Sequence, residues 1–242
     1  MKTIGIIPCR YQSSRFPGKP LALINGKPMM WHVYQRALES KALDKVYIAT
    51  DDNRIIKSAD EYSLNSILTN ANHLTGTDRV AEAAKKINAD YYVNIQGDEP
   101  FIDSDAIKQV VDAIKNCDSP LIQAANAYTP MSNISDVVDT NTVKVIMDIN
   151  ELALAYSRST IPFPKANVAE YNKQLGLYAF KKSGLKVFSK NIPSNLESVE
   201  GVEMYRLLEY GYSIQMVKTK DASISVDTPS DLKRVQDKFG DK

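Results

Sequence analysis

Along the chain, short runs of consecutive or alternating apolar residues are separated by longer stretches whose apolar positions fall three or four apart. The runs at 3–7, 45–50, 65–68, 91–96 and 121–126 predict strands, and the stretches at 29–39, 53–62, 78–87 and 104–115 predict helices between them. Strand and helix in alternation is the pattern of a parallel sheet with crossover helices, so the first 126 residues read as a doubly wound, mostly parallel sheet. Beyond residue 142 the alternation loosens. Strands are expected at 143–148, 152–157 and 174–180, ahead of one long helix. Ser194 and Glu197 have the spacing of a capping box for that helix, and Gly211 falls just past its end. A strand at 213–217 and a helix at 229–239 follow. With no repeat, low-complexity segment or linker, the expectation is one α/β domain over 1–242. Within it, 1–126 forms one half, and a sheet-edge subdomain spans about 129–191.

Composition narrows the classes. The 242 residues are 43% apolar and 24% charged, ordinary for a globular protein large enough to need no disulfide or metal staple. Thirty Lys and Arg stand against 29 Asp and Glu, without the basic excess that tracks phosphates in nucleic acid, so no nucleic-acid partner is expected. No apolar stretch approaches the roughly 20 residues of a bilayer span, and the apolar run in MKTIGIIPCR is cut by Pro8. Cys9 and Cys117 form no C-x-x-C pair. A cytoplasmic chain with no membrane partner is the reading.

The motifs exclude before they suggest. No two glycines stand two apart, so the dinucleotide fingerprint is missing, and so are the P-loop, G-x-S-x-G and H-E-x-x-H. The strongest positive signal is PCRYQSSRFPGKPL after the first strand, with Arg10, Ser13, Ser14, Arg15 and Lys19. Such a loop, at the carboxyl edge where open α/β sheets bind ligands, suits a triphosphate; a solvated basic turn is the plainer reading. NIQGDEP puts Asp98 at another strand end, and SVDTPSDL puts Asp227 ahead of Pro229. Either Asp227 shares a divalent metal with Asp98, or Asp227 or Thr228 merely caps the following helix. ATDD (Thr50, Asp51) and LTGTDRV (Gly76, Thr77, Arg79) offer short polar groups at the same edge, where Thr77 or Asp78 is equally a cap.

Taken in order, PCRYQSSRFPGKPL, INGKPMMWHV, ATDD, TGTDR, NIQGDEP, YSRSTIP, QLGLYAF, LESVEGVEMYRLLEYG and VDTPSDL resemble the CMP-Kdo synthetases, the 3-deoxy-manno-octulosonate (Kdo) cytidylyltransferases. The resemblance implies a nucleotide-diphospho-sugar transferase fold with an edge subdomain for dimerisation and sugar, and a homodimer. It also implies Mg²⁺-dependent reaction of CTP with an acidic 2-ulosonic sugar to give CMP-Kdo for lipopolysaccharide and pyrophosphate. Arg10, Ser13, Arg15 and Lys19 would hold the triphosphate, and Thr50, Asp51, Gly76, Thr77 and Arg79 the cytidine. Asp98 and Asp227 would bind Mg²⁺, with Lys19, Arg10 and both aspartates carrying catalysis. Gln96, Arg158, Gln174, Tyr178, Glu203 and Met204 would face the sugar. Two positions depart from the family pattern: Gln174 replaces a histidine, and Met204 a glutamine after Glu203. Lost hydrogen-bonding groups there leave a related acid such as 8-amino-Kdo as the alternative acceptor. A non-catalytic nucleotide-sugar-binding protein is the alternative from another class.

Overall fold

A computed structural model describes residues 1–13, 15–165, 169–220 and 224–239. The chain forms two compact units, one of residues 1–108 with the described part of 223–242, the other of residues 109–222. In the first unit the elements run β1 (Thr3–Cys9), a 3-10 turn (Lys19–Leu21), β2 (Leu23–Ile24), β3 (Lys27–Pro28), α1 (Met29–Glu39), β4 (Lys45–Thr50), α2 (Asn53–Glu61), β5 (Ser66–Leu68), α3 (Gly76–Lys86), β6 (Tyr91–Ile95) and α4 (Ser104–Lys115). The division between units falls within α4.

β1 is central: it pairs in parallel with β6 on one side and β4 on the other, and β4 pairs in parallel with β5. That position explains why TIGIIPC is apolar on both faces, with Ile4, Ile6 and Ile7 fully buried. Each such side chain contributes roughly 1.5–3 kcal/mol of burial. The helices cover the sheet with the apolar faces expected of them, α1 burying Met29, Met30, Val33, Tyr34 and Ala37.

The second unit carries β7 (Ile122–Met131), α5 (Ile134–Val138), β8 (Lys144–Met147), β9 (Ala153–Ser157), β10 (Tyr171–Lys181), α6 (Lys182–Lys190), α7 (Asn195–Glu200), α8 (Tyr205–Glu209) and β11 (Ser213–Lys218). Here the pairing is mixed: β11 runs parallel to β7, while β7–β10, β10–β8 and β8–β9 are antiparallel. The single long helix expected after Ser194 is two short ones. Gly201 takes a left-handed conformation (φ 63°) and ends α7, and the chain re-enters a helix only after Met204. The buried Glu197 then bonds Arg206 (Nε–Oε2 2.7 Å), tying α7 to α8. Ser194 and Glu197 form the expected capping box at the start of α7, with Glu197 Oε2 accepting from the Ser194 N–H at 3.2 Å.

The chain then returns to the first unit as α9 (Pro229–Phe239). Val226 and Val235 join Ile24 and Met29 in a buried cluster flanked by Phe16, Phe101, Ile224 and Leu232. Among the described residues no helix is long and apolar enough to cross a membrane.

Candidate functional site

The first unit gathers its charged groups around Lys19. Lys19 Nζ lies 2.7 Å from Asp98 Oδ2 and 3.2 Å from Asp227 Oδ1, and it also donates to Val226 O at 3.1 Å. Arg15 reaches the same Asp227 oxygen at 3.1 Å from a more exposed position. Residues about 80 and 200 positions apart in sequence thus meet through backbone that the fold fixes. Val226 N donates to Asp98 O at 2.8 Å, joining the two acidic segments directly, and the buried Val226 anchors this link in the α9 cluster.

Gly97 lets β6 end close to β1. A Cβ at that position would lie 2.9 Å from both Cys9 Sγ and Pro8 O, so a larger residue would push Asp98 off its place. Cys9 lies wholly buried beneath. Burial, and after it the Asp98 charge, push its thiol up to about 12, so it stays a neutral packing group.

The competing cap reading of Asp227 is settled by its neighbours. Thr228 Oγ1 accepts from Asp231 N at 3.2 Å, and Asp231 Oδ2 accepts from Thr228 N at 2.9 Å, a capping box one residue later. Thr228 is the cap, and the Asp227 carboxylate is turned to Lys19 and Arg15. The same applies in α3: Thr75 caps and Asp78 reciprocates, while Thr77, fully buried, accepts from Asn94 Nδ2 at 3.0 Å.

Two carboxylates on one ammonium are a hard-oxygen donor pair of the kind Mg²⁺ takes from protein when phosphates and water complete its shell. Asp98 and Asp227 fit such a pair by their chemistry, and among the described residues no group of three His, Cys, Asp or Glu is placed to hold a metal.

The remaining first-loop residues flank this cluster. Arg10 is exposed at the end of β1, and Ser13 Oγ accepts from Phe16 N at 3.4 Å. The loop is braced from outside: Tyr11 O accepts from Gly18 N at 2.7 Å, and the Tyr11 ring lies under the Arg54 guanidinium at 3.3 Å. Ser14 lies outside the described residues. Thr50 is buried at the end of β4 and accepts from Asp52 N. Arg79, also buried, donates to Thr69 Oγ1 at 2.6 Å and Asn70 O at 3.3 Å, with Asp51 Oδ1 3.1 Å from its Nη2. The structure thus uses Arg79 as a strut between the ends of β4 and β5. Gln96 lies against Gly76, its amide atoms 3.6 and 3.7 Å from where a Cβ would stand, among the residues expected at the cytidine rather than the sugar.

The other sugar-side expectations fall in the second unit. Arg158 is fixed at three points: its N–H donates to Glu200 Oε2 at 2.8 Å, its Nε to Glu200 O at 2.7 Å and its Nη1 to Thr140 O at 3.0 Å. Its own carbonyl accepts from Lys144 Nζ at 2.6 Å; this buried lysine also donates to Asp139 O and Thr142 O, and burial lowers its ammonium pKa. Sequence reading missed Lys144 and Glu200; a lysine inside the apolar run KVIM was the available signal for the first. Gln174 Nε2 donates to Tyr178 Oη at 2.6 Å. Glu203 is half-buried in the turn between α7 and α8. Met204, next to it, is fully buried and offers packing rather than a face to a ligand.

Residues 4–219 match the cytidylyltransferase family. A 3-deoxy-manno-octulosonate cytidylyltransferase of Syntrophobacter fumaroxidans is 44% identical over 241 residues, 97% of this chain and 96% of that one. Its counterpart in Syntrophotalea carbinolica is 40% identical, covering 98% of each chain. The solved structure of a CMP:2-keto-3-deoxy-manno-octonic acid synthetase complexed with CTP superimposes with a TM-score of 0.93 at 37% identity, covering 99% of this chain and 98% of that one. A 4-diphosphocytidyl-2C-methyl-D-erythritol synthase from Anaerococcus prevotii, 17% identical with a TM-score of 0.66, shares the fold. With full-length identity of this order, the chain belongs to the cytidylyltransferases, and among them to the 3-deoxy-manno-octulosonate cytidylyltransferase family of nucleotidyltransferase enzymes.

Proposed function

We propose that this enzyme transfers CMP from CTP to the anomeric hydroxyl of Kdo with Mg²⁺, releasing pyrophosphate and giving CMP-Kdo for lipopolysaccharide or surface polysaccharide. The observation that carries the reading is the meeting of Lys19 with Asp98 and Asp227. Lys19, Arg15 and Arg10 bind the triphosphate and neutralise charge that builds on the departing pyrophosphate, and Ser13 helps shape the loop that carries them. Asp98 and Asp227 would hold Mg²⁺, which would supply Lewis-acid polarisation for the transfer. Arg158 offers a cation to an acidic acceptor, and Gln174 with Tyr178 offers hydroxyl-binding groups. Work in the cytoplasm as a homodimer belongs to the same proposal, from the family resemblance.

The related acid remains the competing acceptor because Gln174 stands where the family has histidine. Met204, the other departure, is fully buried, which makes it the weaker support for that acceptor. The test is pyrophosphate release from each nucleoside triphosphate, with and without Mg²⁺, against Kdo and 8-amino-Kdo. CTP, Mg²⁺ and Kdo together should give the fastest release. Efficient release with ATP, or without metal, or a clear preference for the amino sugar, would each overturn the corresponding element.

A further inference from the structure

β10 leaves ladder geometry in its middle. Opposite β7, Gln174 pairs with Tyr128 and Tyr178 with Asn126, so residues 175–177 of β10 face Ala127 alone. A bulge takes backbone groups off the ladder and re-aims the side chains at its ends. Here a side chain supplies the missing donors: Asn126 Nδ2 donates to Leu175 O at 2.8 Å and to Leu177 O at 3.0 Å, using both hydrogens of its amide. Its Oδ1 accepts from the Tyr156 hydroxyl at 3.3 Å. Asn126 and Tyr156 are both fully buried, and the Tyr205 hydroxyl bonds the backbone of Tyr156 in turn. A polar group this deep persists only where its partners are supplied.

The bulge decides what Gln174 and Tyr178 do. Four residues of regular strand span about 13 Å, a distance at which side chains standing parallel on one face do not meet. Yet Gln174 Nε2 lies 2.6 Å from Tyr178 Oη. The bonded pair therefore depends on the bulge, and the bulge carbonyls on Asn126.

We propose that Asn126 is a positioning residue for acceptor recognition: by bonding the carbonyls of Leu175 and Leu177 it holds Gln174 and Tyr178 in the pair that meets the sugar acid. This rests on the reading that Gln174 and Tyr178 contact the acceptor. Asn126→Leu keeps the number and branching of the side-chain heavy atoms and removes the donors. It should lower kcat/KM for the acceptor about 10–100-fold, with KM for CTP within about twofold of wild type. Hydrogen exchange over 174–178 should also speed up, a readout that needs no turnover. Tyr156→Phe removes the hydroxyl's contacts with Asn126 Oδ1 and Met216 Sδ, leaves both bonds donated by Asn126 in place, and should raise acceptor KM about threefold, again without moving KM for CTP; it decides the matter if Asn126→Leu does not fold. Unchanged acceptor KM in both variants, or equal loss for both substrates, overturns the inference. Gln174→Ala and Tyr178→Phe separate the two ideas. If both leave acceptor KM unchanged, the acceptor reading of this wall fails and takes the inference with it. If they raise it while the Asn126 and Tyr156 variants do not, the positioning role alone is wrong.

Discussion

Asp227 and Thr228 are adjacent and chemically alike in what they offer a helix start, yet the structure separates their roles. Thr228 and Asp231 share the capping box, and Asp227 faces Lys19. Asp227→Asn should therefore cut kcat by about 100-fold or more, through lost charge stabilisation, while leaving Tm nearly unchanged. Thr228→Ala should do the reverse, costing about 1 kcal/mol of stability with kcat preserved. Parallel measurement of Tm and kcat checks both, and a swapped outcome would return Asp227 to the role of a cap. Glu82 gives a second test at this scale. Burial acts to raise its carboxyl, but the Asn70 N–H, His73 and Lys86 outweigh it and hold it at about 2, against 4.5 for the free group. Its bonds therefore stabilise the fold above the unfolded value, and that contribution is lost as pH falls from there towards 2. Glu82→Gln should lower Tm at pH 7, and the gap from wild type should close between about pH 5 and pH 2. A gap independent of pH would show that shape rather than charge matters at this position. The residue types of the basic loop after β1 were legible in sequence because charge and glycine leave a local mark. The partners of Arg79, the carbonyls around Lys144 and the role of Asn126 were not, since each depends on segments brought together from far along the chain.

Elements with a clean apolar period were readable from the sequence to the residue: α1, α4, α9 and β4 have the bounds expected of them. Those with a local backbone exception were not. The Asn25–Gly26 turn, with φ of 49° and 73°, joins two-residue strands too short to show alternation, although Asn-Gly is itself a hairpin signal. Around Gly201 the helical period continues on both sides, so the sequence suggested one helix; a left-handed residue divides it. The bulge in β10 hides its true length by displacing the alternation midway. A prediction follows for the β6 terminus, where Gly97 meets backbone as well as sulfur. Gly97→Ala should destabilise the fold by about 1–3 kcal/mol and reduce activity further than stability alone explains, because Asp98 shifts with the strand end. Thermal unfolding together with kcat at a temperature where the variant is fully folded tests this; a destabilised variant with normal kcat would detach Gly97 from the site.

At the scale of the molecule, the residues proposed for the nucleotide all belong to the first unit, and its response to ligand is the simplest global readout. CTP with Mg²⁺ should raise Tm more than ATP with Mg²⁺ at equal concentration, and Asp98→Asn should abolish most of the difference made by the metal. Equal shifts for the two nucleotides would remove the cytidine assignment. The path of the chain through the units has a consequence for synthesis. Lys19 and Asp227 are 208 positions apart, and the segment bearing Asp227 rejoins a unit whose other strands precede it. At 5–20 residues per second, a ribosome makes Lys19 about 10–40 s before Asp227. During that interval the nascent chain can build the parallel strands and the basic loop but lacks one of the two acids. On the proposed roles, catalytic competence arrives late and all at once, and a message broken within the second unit yields a fragment that has the basic loop without Asp227.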